Sequence, residues 1–351
     1  MSAERLVRAL LDVGVDVFVA CPTANSTARA RSEFNGRLSV VELPAHQRWS
    51  TLRRLRKWRR HARAAVEGSE AAIVHAQGLL SSGIAATDVR GIPRVVTAHG
   101  NLVADTSALY DGLGGAVRSW LRDRLSISVI KRADVIIGVN PDWSVNLPRR
   151  PRRFVYIPHI IDERFYALRL EPEPALVLFV GGRRRIKGWP LLAAAWPTVR
   201  EAVPEARLHV AGWSPDEGPA DVGPAHRRSV IVEGWLSSEE LAARMAKASV
   251  LVIPSQFEVS PTVLAEAWAL GLPVVATAVG GLRALAEGAA VVVPRREPEA
   301  LAAGIVRALA GGEEVERLVG EGRHRAEAHR AEAVAKAHLA LYTELVEGGA
   351  K

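Results

Sequence analysis

Cysteine is almost missing: Cys21 stands alone among 351 residues. One thiol cannot make an intrachain disulfide, and a zinc site of several thiolates is excluded. Cys21 reads as a small apolar residue at a strand end, which suits a reducing compartment. Aromatics are sparse at 5%. No run of 18 or more apolar residues occurs, so the pattern of a membrane-spanning helix is absent. The opening Met1-Ser2-Ala3-Glu4-Arg5 has no secretory-leader pattern, and the expected location is the cytoplasm. Several signatures of catalysis are also lacking. There is no His-Glu-x-x-His, no Walker-type glycine loop and no G-x-G-x-x-G after a strand, which argues against a zinc protease, a P-loop NTPase and a nicotinamide enzyme.

Acidic residues are scarce in one half only. Residues 1–165 carry 25 Lys+Arg against 15 Asp+Glu, whereas residues 166–351 carry 21 against 23, so the formal net charge of +8 comes from the first half. Part of it lies in residues 48–63, from Arg48-Trp49 to Arg59-Arg60. Read as a helix, this stretch sets Leu52, Leu55, Ala62 and Val66 on an apolar stripe with Arg and Lys around the rest. Such a helix suits an anionic membrane surface. An ordinary solvated face is the plain alternative, and nucleic-acid binding is not expected.

What is present is an α/β rhythm. The length suits two domains, and 48% apolar residues can fill a core in each. Strands are predicted at 15–20, 38–43, 71–75, 93–98, 134–138 and 154–158, then at 176–181, 206–211, 229–233, 249–253, 273–277 and 289–293, with helices between them. Alternation at this spacing predicts parallel sheets, and continuous apolar strands such as Leu176-Val177-Leu178-Phe179-Val180 predict cover on both faces. Glu171-Pro172-Glu173-Pro174 reads as a stiff linker. The expected division is 1–165, a linker at 166–175, a second domain at 176–330, and a final helix in 331–351.

One stretch carries chemistry. The apolar strand ending at Pro254 leads into a short loop with Glu258. Ser260 then reads as an N-cap and Pro261 as the first helical position; Gly271 ends the helix. The opening amides of that helix, near Thr262 and Val263, have no partner within it and suit a diphosphate. Glu266, more than one turn in, can accept from a ribose diol, and Glu258 from sugar hydroxyls. A second basic loop, Gly181-Gly182-Arg183-Arg184-Arg185-Ile186-Lys187-Gly188, follows a strand and can neutralise a leaving phosphate.

These residues resemble the donor-site signature of family 4 retaining glycosyltransferases, which have the GT-B fold: two Rossmann-like α/β domains with parallel sheets facing a central cleft. The resemblance rests on Glu258, Glu266, the run Gly271-Leu272-Pro273-Val274-Val275, Gly280-Gly281 and Lys187. It implies a nucleotide-diphosphate sugar as donor, Glu258 on the donor sugar, Glu266 on the ribose, and Gly181, Arg183, Arg184, Lys187, Ser260, Thr262 and Val263 around the phosphates. His99-Gly100 resembles the family's sugar-facing histidine, so His99, Lys187 and Glu258 are the candidate catalytic residues. His75 is a weaker candidate of the same kind. Ile157-Pro158-His159-Ile160-Ile161-Asp162 resembles a structural segment before the linker, with His159 where asparagine is usual.

The sequence departs from the family in three ways. Val259-Ser260-Pro261 replaces the common Gly-Phe-Gly. The usual arginine position after the first glycine of the basic loop holds Gly182, so Arg183 or Arg184 is expected to substitute. The usual opening strand and glycine loop are not seen before the helix of residues 3–12; the expectation is that the true start lies upstream and that the first half folds poorly without it. No Asp-x-Asp occurs, so neither a metal nor another cofactor is expected. The expected activity is sugar transfer to a hydroxyl acceptor, a glycan or a lipid-linked envelope precursor, by a protein at most peripheral to the inner membrane face. A non-catalytic homologue and a sugar-nucleotide epimerase stay open as alternatives.

Overall fold

The computed structural model describes residues 2–23, 29–33, 36–44, 52–100, 113–144, 147, 149–182, 185–214, 218–219 and 221–349. Along the chain come α1 (Ser2–Asp12), β1 (Val17–Thr23), β2 (Arg29–Glu33), β3 (Leu38–Pro44), α2 (Leu52–Glu67), β4 (Val74–Gln77), α3 (Ser81–Asp88), β5 (Arg94–Ala98), α4 (Leu113–Arg132), β6 (Val135–Gly138) and β7 (Phe154–Tyr156). There follow α5 (Arg164–Ala167), β8 (Leu176–Val180), α6 (Trp189–Ala202), β9 (Arg207–Ala211), β10 (Val230–Glu233), α7 (Ser238–Lys247), β11 (Val250–Ile253), α8 (Thr262–Leu270), β12 (Val274–Thr277), α9 (Gly280–Ala286), β13 (Val291–Val293), α10 (Pro298–Ala310), α11 (Glu313–Ala326) and α12 (Ala331–Gly349). Among the described residues no helix is long and apolar enough to cross a membrane. The chain divides into two compact units, Met1–Ile160 with Ala331–Lys351, and Ile161–Arg330.

In the second unit six parallel strands lie in the order β10-β9-β8-β11-β12-β13. Successive side chains of a strand point to opposite faces, and both faces are covered. Val177 and Phe179 pack with Trp189, Leu192 and Trp196 of α6 and Leu301 and Ile305 of α10. Leu178 between them packs on the other face, with Leu264 and Trp268 of α8 and Met245 of α7. Buried indoles need an acceptor: Trp268 donates to the carbonyl of Ala289 at 2.9 Å and Trp189 to Asp221 at 2.8 Å.

The expected linker is instead part of this unit. Ile161 and Phe165 are 1% and 0% exposed in its core, so the division falls after Ile160 and not after residue 165. The amides of Glu171 and Glu173 donate to the carbonyls of Ala246 and Lys247, both at 2.8 Å, which seats the two prolines against the end of α7. The apolar residues at 161 and 165 outweigh the linker composition that follows.

The first unit holds two sheets. β4-β5-β6-β7 is parallel throughout. The second sheet is β1-β3-β2, in which β1 pairs parallel with β3 but β2 runs antiparallel to it, contrary to the all-parallel expectation. β2 reads Arg-Ala-Arg-Ser-Glu, which has no apolar signal for a pattern search to find. Among the described residues no ladder joins β1 to β4. α12 belongs to this unit: Val334, Ala335 and Leu341 pack with Ala9, Val95, Val135, Ile137 and Ile157.

Candidate functional site

The site in the second unit is built at the carboxyl ends of β8 and β11. β8 delivers the Gly181-Gly182 turn, whose Gly181 amide donates to the carbonyl of Ala211 at 3.1 Å. Gly182 has φ +62°, and a Cβ there would lie 2.6 Å from the carbonyl oxygen of Gly212. That answers why glycine stands where the family usually has arginine: a side chain at this position is strained and collides. Arg183 and Arg184, expected to substitute, lie outside the described residues. At Gly188, φ +82°, a Cβ would sit 1.7 Å from the carbonyl oxygen of Pro254, so the basic loop lies directly on the loop after β11. The Gln256 amide donates to the carbonyl of Ile186 at 2.8 Å and ties the same two loops.

This contact brings two predicted residues together. Lys187 Nζ is 2.6 Å from Glu258 Oε1, and Ser255 Oγ donates to that same oxygen at 2.9 Å. The Glu258 side chain is 11% exposed and the Lys187 side chain 34%, so the pair is partly shielded from water. The loop beneath them is locked: Thr277, fully buried, donates to the carbonyl of Ser255 at 2.6 Å. Gly280-Gly281 closes the other side. The Gly281 amide donates to the carbonyl of Glu258 at 2.9 Å, and a Cβ at Gly280, φ +45°, would be 2.4 Å from that oxygen. Ser255 was not among the expected site residues; its only sequence signal is its place just after a strand end.

α8 begins at Thr262, with Pro261 as N-cap in an extended conformation and no side-chain cap bond. Ser260 is therefore not the cap: the fixed φ of proline already sets the turn, one residue later than expected. Thr262 and Val263 occupy the opening positions whose amides have no intrahelical acceptor. Glu266 lies one turn further on and is half-buried. Gly271 ends the helix at φ +76°, as the sequence pattern implied.

The first unit places the other candidate. His99 follows β5, and the next carbonyl, that of Gly100, accepts from Trp143 Nε1 at 2.8 Å. His99 Nε2 is 2.8 Å from Gln77 Oε1, and its ring stacks on His159 with centroids 5.2 Å apart and planes 4° apart. Burial lowers its pKa. His75, on the neighbouring strand, binds Thr97 Oγ1 through Nε2 at 2.7 Å and the Tyr342 hydroxyl through Nδ1 at 2.5 Å. Burial, followed by the charges of His338 and His99, pulls its pKa down to about 3. His75 is thus an internal strut between β4 and α12. Gln77, Thr97, His99, His159 and His338 border one small crevice. Gln77, Tyr342 and His338 were not anticipated, since nothing in the sequence links residues 265 positions apart.

The basic helix is partly engaged inside the unit. Arg59 Nε donates to Asp88 at 2.8 Å, and Arg132 binds the other oxygen of Asp88 at 2.8 Å. Ala62 is buried beside Ala85, Ala20 and Val41, as the apolar stripe required. Residues 48–51 and the side chains of 52–58 lie outside the described residues.

Comparison with known proteins agrees with this geometry. Residues 1–165 match the family model described as Glycosyltransferase Family 4, and residues 174–311 match that of Glycosyl transferases group 1. A D-inositol 3-phosphate glycosyltransferase of Segniliparus rotundus is 34% identical over 192 residues, covering 52% of this chain and 43% of that protein. The chain thus matches about half the length of the first curated relatives. Among solved structures, sucrose-phosphate synthase of Thermosynechococcus elongatus superposes with a TM-score of 0.76 at 24% identity, over 99% of this chain and 93% of that one. HepE of Anabaena, solved with UDP, gives 0.68 at 16% identity, over 89% and 88%. These likenesses establish the GT-B fold.

Proposed function

The chain belongs to the glycosyltransferases of family 4, and from that premise we propose that it moves a sugar from a nucleotide-diphosphate sugar to an acceptor hydroxyl with retention of configuration. The observation that carries this reading is the Lys187–Glu258 pair, 2.6 Å apart, on the loops that open α6 and α8. A diphosphate takes the amides of Thr262 and Val263 and the ammonium of Lys187. Arg183, Arg184 and the Gly181 turn border the same phosphates, with Ser260 beside them. Glu266 accepts from the ribose and Glu258 from the transferred sugar. Lys187 is at hand for both, since it neutralises charge on the leaving phosphate while orienting Glu258.

In this reading the reaction follows a front-face route. The anomeric C–O bond to the phosphate breaks, the acceptor oxygen bonds to the same face, and its proton passes to the leaving phosphate. His99, in the first unit, accepts from a substrate hydroxyl. Cationic side chains and helix amides take the part that a divalent cation plays elsewhere, and no resident cofactor is needed.

The acceptor is proposed to be a glycan or a lipid-linked envelope precursor. The excess of basic residues in 1–165 supports this, and residues 48–63 would rest on the anionic inner face of the membrane from the cytoplasmic side. Neither reading calls for nucleic acid.

A thermal-shift and calorimetry screen of UDP-, GDP- and ADP-sugars tests the proposal, with UDP first because HepE binds it. One donor should bind and be slowly hydrolysed without acceptor. Binding without hydrolysis or transfer would assign a non-catalytic homologue, and absence of binding by all donors would remove the site altogether.

A further inference from the structure

The first unit holds a hydrogen-bond relay that ends on His99, at the border of the small crevice. It begins at Tyr342, whose hydroxyl meets His75 Nδ1 at 2.5 Å. His75 Nε2 meets Thr97 Oγ1 at 2.7 Å and Gln77 Nε2 at 3.3 Å. Gln77 Oε1 then meets His99 Nε2 at 2.8 Å. Hydroxyls donate or accept as required, so Tyr342 and Thr97 impose nothing on the imidazoles. A carboxamide has one donating arm and one accepting arm, and so it couples the two rings. With its nitrogen toward His75, His75 Nε2 must accept, and its proton is on Nδ1. With its oxygen toward His99, His99 Nε2 must donate, and Nδ1 carries the lone pair.

We propose that Gln77 is the positioning residue of His99, its carboxamide braced on His75 so that His99 keeps its proton on Nε2 and offers Nδ1 to a substrate hydroxyl. This rests on the sugar-facing role given to His99 above. His159, stacked in parallel on the His99 ring, restrains rotation of the imidazole about its bond to the backbone. Gln77 thereby sets which nitrogen is available, and His159 sets the plane in which it is presented. A neutral imidazole with the wrong tautomer would present a second donor to a hydroxyl and leave that hydroxyl's proton without an acceptor. Burial keeps both His75 and His99 neutral at pH 7, which the relay needs.

The test uses the full chain and needs no ligand. Long-range 1H–15N spectra of the histidine side chains, with His99→Asn and His75→Asn to assign them, are recorded for wild type, Gln77→Leu and Gln77→Glu. Wild type should show His99 protonated on Nε2 and His75 on Nδ1. Gln77→Leu should release His99 into a mixture of tautomers. Gln77→Glu accepts on both arms, so His99 should keep its Nε2 proton, with a raised pKa, while His75 moves its proton to Nε2. That isosteric change also covers the case in which the leucine variant fails to fold. Where the donor screen finds turnover, Gln77→Leu should lower kcat by about tenfold or more with little change in donor KM. The opposite tautomers in wild type, or a His99 tautomer indifferent to both substitutions, would overturn the proposal. A correct tautomer response in a protein that turns over no donor would instead overturn the reading of the reaction.

Discussion

Lys187 and Glu258, 71 positions apart in sequence, share one short ion pair, and Ser255 donates to the same carboxylate oxygen. The carboxylate is 11% exposed. A buried charge deprived of its partner is costly to retain, so the two side chains should behave as one unit.

Lys187→Met should therefore act twice. Among the described residues, loss of the ammonium leaves Glu258 with Ser255 as its side-chain partner, and stability should fall by about 1–3 kcal/mol. Donor turnover should fall as well. Urea unfolding of Lys187→Met, Glu258→Gln and the double variant closes a mutant cycle. Additive losses would mean that the pair is not coupled.

Glu266→Ala should weaken nucleotide binding by about tenfold or more, the worth of a charge-assisted hydrogen bond. Titration calorimetry with UDP or the nucleotide found by the donor screen decides it; equal affinity would detach Glu266 from the ribose.

Gly188→Ala should destabilise the second unit by about 2–4 kcal/mol. The new Cβ would fall 1.7 Å from the carbonyl oxygen of Pro254, at φ +82°. Gly223→Ala is the control: nothing lies within 4 Å of its Cβ position and its φ is negative, so the change should stay within about 0.5 kcal/mol. Similar midpoints for both variants would contradict the close approach of the two loops.

Stability should also depend on pH through His75. Its pKa is about 3 when folded and 6.5 when unfolded. Between these values the unfolded chain binds more protons, so stability is fully present above pH 6.5 and is lost as pH falls toward 3. At pH 5 His75 alone should account for about 2 kcal/mol. His99 and His338, also lowered by burial, add in the same direction. Denaturant unfolding at pH 5, 6 and 7 should show the slope, and His75→Asn should flatten it. A wild-type profile that is flat across this range would place His75 in water.

Much of the second unit is legible without coordinates. β8, β11 and β13 are continuous apolar runs, and continuous runs are what a doubly covered parallel sheet requires. Gly271 and Gly280 mark turns that other residues enter only under strain. β2 was illegible because its pairing, not its side chains, makes it a strand. The linker was misplaced because its prolines gave a local signal, while the burial of Ile161 and Phe165 depends on partners far along the chain.

Local order thus placed the helices, strands and glycine turns of this protein, and with them the candidates Lys187, Glu258, Glu266 and His99. Tertiary structure alone decided that Lys187 and Glu258 are bonded, that a side chain at Gly182 would meet the carbonyl of Gly212, and that His99 is held by Gln77 and backed by His159. Periodicity and backbone preference act between neighbours and can be read along the chain. Bonds between side chains brought together by sheet register and helix packing cannot, because neither partner carries any mark of the other.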